Sequence, residues 1–228
     1  MRGNGRLGYA AVTVVEAFGV GQKAGMTQGV HPILEVTEVN IARGDALVIE
    51  GLSLSLKRGE ALHVTGANGA GKSTLLLALC GLIPLASGTV SRDPQQLAFL
   101  GHDNGLLPDL SVAENLRLYA QSGAVAAAPA LAALGVDALL DKPAKTLSFG
   151  QARRVALALT CLPDRALWML DEPFAGLDSA TSGALEALLI EQISSGAISV
   201  VFSSHERSLP GAKTLRLGSD AAAETGDV

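Results

Sequence analysis

Hydrophobic and polar positions alternate through LEVTEVNIA (Leu34–Ala42), ALVIEGLSLSL (Ala46–Leu56) and GTVSR (Gly88–Arg92). A period of two marks a strand with one buried face, and these segments predict an antiparallel sheet. ALHVT (Ala61–Thr65), LWML (Leu167–Leu170) and AISVVFSS (Ala197–Ser204) are short, mostly apolar runs that read as buried strands. Helical patterning appears in the apolar segment Ser73–Leu82, through SVAENLRLYA and APALAALGV within Asn104–Thr146, in Val155–Leu162, and from Ser179 to Ser195. Asp178 or Ser179 is placed to cap the last of these. Strands interleaved with helices predict an α/β fold built around a buried core.

The run Ser73–Ser91 carries no charge and is long enough to span a membrane, but Pro84 and Gly88 interrupt it. It reads as core helix, turn and strand. Met1–Val30 has Arg2 and Arg6 ahead of a moderately apolar stretch broken by Glu16 and scattered glycines. That composition departs from a signal peptide and reads either as a poorly ordered extension, up to residue 33, or as sequence ahead of a start at Met26. The tail Ser219–Val228 is small and acidic, and is expected to fray.

At 228 residues the chain suits one domain, about residues 34–218, with a sizeable core. Its formal net charge of −5 leaves no electrostatic footprint for nucleic acid. The two cysteines, Cys80 and Cys161, lie in apolar helical runs and read as small core residues, not as a disulfide or metal site. There is no internal repeat.

The candidate chemistry sits in three segments. In GANGAGKST (Gly66, Ala67, Asn68, Gly69, Ala70, Gly71, Lys72, Ser73, Thr74) the glycines let the backbone turn tightly, so that successive N–H groups surround phosphate oxygens. The segment stands between a strand and a helix, whose positive N-terminal end favours the same anion. Lys72 is placed to reach the β- and γ-phosphates, and the Ser73 hydroxyl to ligate Mg²⁺. Asp171 and Glu172 end an apolar strand, at the sheet edge where α/β proteins bind ligands. In LSFGQ, Ser148, Gly150 and Gln151 stand at a helix N-terminus, a second anion site. Arg153 and Arg154 follow and read as a solvated basic patch at the helix start.

The order of these three segments resembles the ATP-binding cassette (ABC) ATPases, and the resemblance runs from about Leu34 to His205. It implies a P-loop, RecA-like core with an antiparallel β subdomain and a helical subdomain at about 104–147. It also implies bound ATP with Mg²⁺ and a homodimer whose nucleotides are sandwiched between subunits. On this resemblance Asp171 holds Mg²⁺ through water and Glu172 polarises the attacking water. His205 contacts the γ-phosphate, Asp178 faces the partner subunit, and Ser148, Gly150 and Gln151 grip the nucleotide of the other copy. Phe149 stands where the family has glycine, and either alters closure or packs at the dimer seam. Arg43 stands near the place of the adenine-stacking aromatic; a guanidinium can stack on a base or remain solvated.

AFLGHDNGLLPDLSVAENLRLY (Ala98–Tyr119), LSxGQxRRVALA and the short sequence after His205 are similar to the CcmA family, the haem-exporter ATP-binding subunits of cytochrome c biogenesis. His102 stands where most cassettes have a Mg²⁺-sensing glutamine. The resemblance implies a peripheral ATPase on the cytoplasmic side of the inner membrane, with a CcmB-like permease and CcmC-like and CcmE-like maturation proteins as partners. Alternatives are the ATPase of another small ABC exporter, a soluble ABC protein of DNA repair or translation, and a module that no longer hydrolyses. The chain lacks the second cassette, coiled-coil insertion or zinc module usual in the soluble class. Intact Lys72, Ser73, Asp171, Glu172 and His205 weigh against loss of hydrolysis.

Overall fold

A computed structural model describes residues 31–44, 46–119, 129–161, 165–205 and 207–218. The predicted extension and frayed tail lie almost wholly outside these residues. Three strands, β1 (Leu34–Arg43), β2 (Ala46–Leu56) and β4 (Ser87–Arg92), form the expected antiparallel sheet in the order β2-β1-β4. A second, parallel sheet runs β5-β6-β7-β3-β8, from β3 (Ala61–Gly66), β5 (Leu97–Leu100), β6 (Leu167–Asp171), β7 (Ser199–Ser203) and β8 (Lys213–Leu217).

β5, β6 and β7 are buried at every position, which is why they read as continuous apolar runs. The pleat sends alternate residues to opposite faces. Leu97, Phe99, Leu167, Met169 and Val201 join a core with the helix α1 (Lys72–Leu79) and the antiparallel sheet. Ala98, Leu100, Trp168, Leu170, Val200 and Phe202 face the helices α4 (Phe149–Thr160) and α5 (Ser179–Ser194) in a second core. Val112 and Leu116 of α2 (Val112–Tyr119) and Leu131 of α3 (Pro129–Ala133) join this second core.

Three helical expectations change at their ends. The helix predicted over Ser73–Leu82 stops at Leu79, because Gly81 takes φ 73° and closes the helix. Gly81 N donates to Ala78 O and Leu82 N to Leu77 O, which satisfies the last carbonyls. Cys80 therefore caps α1 instead of lying within it; burial raises its thiol to about 12. α4 starts six residues earlier than the apolar run Val155–Leu162, at Phe149, because Ser148 caps it. Asn104–Thr146 is less helical than its composition suggests: besides α2 and α3 it holds 3-10 turns at Asp137–Leu139 and Ala144–Thr146, with residues 120–128 outside the described set. Among the described residues no helix is long and apolar enough to cross a membrane.

Candidate active site

β3 delivers the chain into the glycine-rich loop. Gly66 has φ 147°, and a Cβ there would lie 2.4 Å from the Leu217 carbonyl oxygen of β8. Gly71 has φ 97°, and its Cβ would meet Val48 Cγ1 at 2.5 Å. Both positions need glycine, for backbone conformation and for close approach. Lys72, almost fully buried, folds back over the loop and donates to Gly66 O at 2.9 Å and Ala67 O at 3.2 Å. Its Nζ is also 3.0 Å from His205 Nε2.

Asp171 and Glu172 leave the end of β6 as expected. Asp171 is buried and its Oδ1 accepts from Ser203 Oγ at 2.7 Å. Glu172 is one of two non-glycine residues at positive φ among those described, at 48°. A left-handed backbone costs such a residue about 1–2 kcal/mol, so neighbouring bonds must hold it. Glu172 N donates to Ser203 Oγ at 2.9 Å. Glu172 Oε1 is buried without a hydrogen bond and lies 3.4 Å from His205 Nε2.

The loop, the carboxylates and the histidines surround a cavity of about 490 Å³. Asn68, Gly69, Gly71, Lys72, Ser73 and Thr74 line it from the loop, Asp171 and Glu172 from β6. His102, His205, Arg43, Val48 and Ala175 complete the wall. Gly66, Ala67 and Ala70 form the loop without lining the cavity. The hard oxygen donors Ser73 and Asp171 suit Mg²⁺, which a protein binds through one or two side chains plus substrate phosphates. No group of three or more His, Cys, Asp or Glu side chains that could by itself hold a metal ion occurs among the described residues.

Ser148, Gly150, Gln151 and Asp178 do not line this cavity. Ser148 forms a capping box: its Oγ accepts from Gln151 N at 3.3 Å, and its own N–H donates to Gln151 Oε1 at 3.0 Å. Gly150 sits so close to the Gly176 carbonyl that a Cβ would lie 2.6 Å from it. The exposed Phe149 ring lies across Gly176, where a Cβ would come within 2.5 Å of the ring. Asp178 caps α5, accepting from Thr181 N at 2.7 Å, and this bond holds its carboxyl below the ordinary value.

The basic-patch expectation for Arg153 is overturned. Arg153 is 1% exposed. Its guanidinium donates to Gly101 O (2.7 Å), Asn104 Oδ1 (3.3 Å), Asp171 O (2.5 Å) and Glu172 O (2.8 Å). The reason is spatial: α4 crosses behind the end of β6, where these carbonyls converge, the Glu172 carbonyl also accepting from Ala175 N. Burial lowers the guanidinium to about 10, against the pull of Asp171 and Glu172, so it stays charged at neutral pH. Arg154 is half-buried and donates to Leu134 O. Sequence reasoning also missed Ser203. The available signals were helical spacing, which puts Arg153 on one face with Leu157 and Thr160, and the last position of an apolar strand for Ser203.

The ABC transporter family matches residues 49–175. A cytochrome c biogenesis ATP-binding export protein CcmA 2 from Cupriavidus metallidurans is 42% identical over 205 residues, covering 83% of this chain and 97% of that protein. CcmA of Paracoccus denitrificans is 39% identical, covering 84% of this chain and 92% of that protein. A solved structure of an ATP-binding subunit of an ABC transporter superposes with a TM-score of 0.73 at 26% identity, over 81% of this chain and 85% of that one. With a phosphate loop, two strand-end carboxylates and a capped signature helix on a shared fold, the chain belongs to the ABC transporter ATP-binding proteins and, within them, to the CcmA family.

Proposed function

We propose that this chain hydrolyses ATP at the cavity between Gly69 and His205 and uses the cycle to energise haem export or haem-chaperone release in cytochrome c biogenesis. One observation carries the chemistry: a buried carboxylate oxygen without a donor, Glu172 Oε1, beside a lysine at a phosphate-binding loop. An acceptor left open in that position suits a water molecule. Loop N–H groups and Lys72 bind the β- and γ-phosphates. Glu172 takes the hydrogen bond of the attacking water, whose oxygen bonds to the γ-phosphorus as the bond to the β-phosphate oxygen breaks. The water's proton passes toward Glu172, and ADP and phosphate leave. Ser73 and Asp171 would hold Mg²⁺, which would supply charge neutralisation on the phosphates. When Lys72 turns to the phosphates, His205 Nε2 is released, and once it holds a proton it can donate to the γ-phosphate.

Ser148, Gly150, Gln151 and Asp178 lie outside the cavity, which suits residues that act on the nucleotide of a second copy. The chain then works as a homodimer, peripheral on the cytoplasmic face of the inner membrane. Its permease is CcmB-like, and CcmC-like and CcmE-like proteins complete the pathway. The helical segments at about 104–147 form the arm that carries the signature helix start. Deletion of the gene is the test. Covalent cytochrome c should vanish while other haem proteins persist; covalent cytochrome c at normal levels refutes the pathway.

A further inference from the structure

We infer that Arg153 is the positioning residue that holds the hydrolytic carboxylate Glu172 in its strained backbone conformation. It does so by forking between the 171–172 peptides and the loop that presents His102. The inference deepens the reading of Glu172 given above and rests on it.

Glu172 adopts φ 48°, a conformation that reverts in a side-chain-bearing residue unless its surroundings fix it. Two residues do so. Ser203 of β7 accepts from Glu172 N and donates to Asp171 Oδ1. Arg153 of α4 donates through one terminal nitrogen to both the Asp171 and Glu172 carbonyls. Its other terminal nitrogen donates to Gly101 O and Asn104 Oδ1, on either side of His102 and Asp103. One buried, planar group thus fixes two walls of the cavity to each other and to the signature helix, two residues after Gln151.

A planar fork with donors in fixed directions is the part this needs. A lysine in its place brings the charge but one point of attachment. The bonds of the guanidinium go to main-chain oxygens and one amide oxygen, at sequence separations of 18 to 52 residues. Rotation of α4 therefore moves the peptide that carries Glu172, so the signature helix and the carboxylate shift together. Arg153 does not line the cavity and touches no substrate atom; its effect passes through Glu172 and the Gly101 turn.

The test compares Arg153→Met, Arg153→Lys, Glu172→Gln and the Arg153→Met/Glu172→Gln double variant in steady-state ATP hydrolysis and in binding of a fluorescent ATP analogue. Displacement of a positioned group by an ångström costs on the order of a hundredfold, so Arg153→Met should lose about ten- to a hundredfold in kcat with nucleotide affinity within about threefold. The double variant should lose no more than Glu172→Gln alone, because both changes act through one carboxylate; a further loss on top of Glu172→Gln overturns the inference. Wild-type kcat in folded Arg153→Met, with Glu172→Gln inactive, overturns it while leaving the role of Glu172 intact. Normal turnover by Glu172→Gln instead removes the reading on which it rests. If Arg153→Met does not fold, Arg153→Lys decides: reduced kcat with retained affinity supports the fork, and wild-type kcat overturns it.

Discussion

Lys72 Nζ lies 3.0 Å from His205 Nε2, so the ammonium of the phosphate loop and the imidazole after β7 share a hydrogen bond across the cavity. An ammonium has only donors, so Nε2 must accept and carries no proton. The same Nε2 is 3.4 Å from Glu172 Oε1, which is why that oxygen has no donor. An incoming phosphate would compete for Lys72 and release His205. Lys72→Ala should weaken ATP affinity by removing the charge-assisted contact, roughly tenfold or more for a bond of about 1.5–3 kcal/mol. Residual binding by the loop N–H groups is expected. Nucleotide titration with unchanged affinity would show that residues 66–74 are not the phosphate site.

Glu172→Gln keeps the shape of the side chain and its backbone anchorage to Ser203 and Arg153 while removing the basic oxygen. ATP binding should persist and turnover should fall by about a hundredfold or more, the usual scale for a general base. The protein should then collect as an ATP-bound dimer on sizing. Near-normal hydrolysis refutes the assignment.

Two glycines in helices should answer alanine in opposite directions. A Cβ on Gly150 meets the Gly176 carbonyl at 2.6 Å, a main-chain atom that cannot swing aside. Gly150→Ala should therefore destabilise by about 1–3 kcal/mol, as overpacking does. Gly183, exposed in α5, has nothing within 4 Å. Gly183→Ala should stabilise by about 0.5–1 kcal/mol through helix propensity. Thermal melts of the two variants check both signs.

The elements that were legible in the sequence are those whose pattern reports their own burial. β1 and β2 alternate because one face is covered, and β3, β6 and β7 are apolar because both faces are. The loop glycines were legible because their spacing encodes backbone geometry. β5 and β8 were not singled out as strands: both are sheet edges, four and five residues long, and β8 is mostly exposed. Arg153 was illegible for another reason. An arginine at a helix start is normally solvated, and nothing near it in sequence reveals that carbonyls of Gly101, Asp171 and Glu172 converge there. Ser203 likewise gains meaning only when β7 is laid beside β6, pairing it with Asp171.

Ser148→Arg separates binding from closure. Ser148 caps α4, so the substitution should cost about 1 kcal/mol of stability through the lost cap. Because Ser148 lies outside the cavity of its own chain, monomeric ATP binding should survive. Closure should not, since on the proposed dimer a long side chain would stand in the path of the other copy's γ-phosphate. The measurement is sizing of Glu172→Gln in ATP, with and without Ser148→Arg. An undiminished dimer peak means that LSFGQ does not complete the site in trans.

His102 is exposed on the cavity wall, next to the Gly101 carbonyl that Arg153 holds. That places it between the cavity and the loop leading to Leu107, an exposed apolar residue. Mg²⁺ prefers oxygen donors, and neutral imidazole is a poor ligand for it. His102 should therefore act by hydrogen bonding to water or the γ-phosphate, a role an amide can also fill. His102→Gln should leave hydrolysis near wild type. His102→Ala should reduce stimulation of ATPase activity by the membrane subunit more than it reduces basal activity. The check is hydrolysis by each variant alone and in the reconstituted complex. If both variants match wild type in both settings, His102 has no part in coupling.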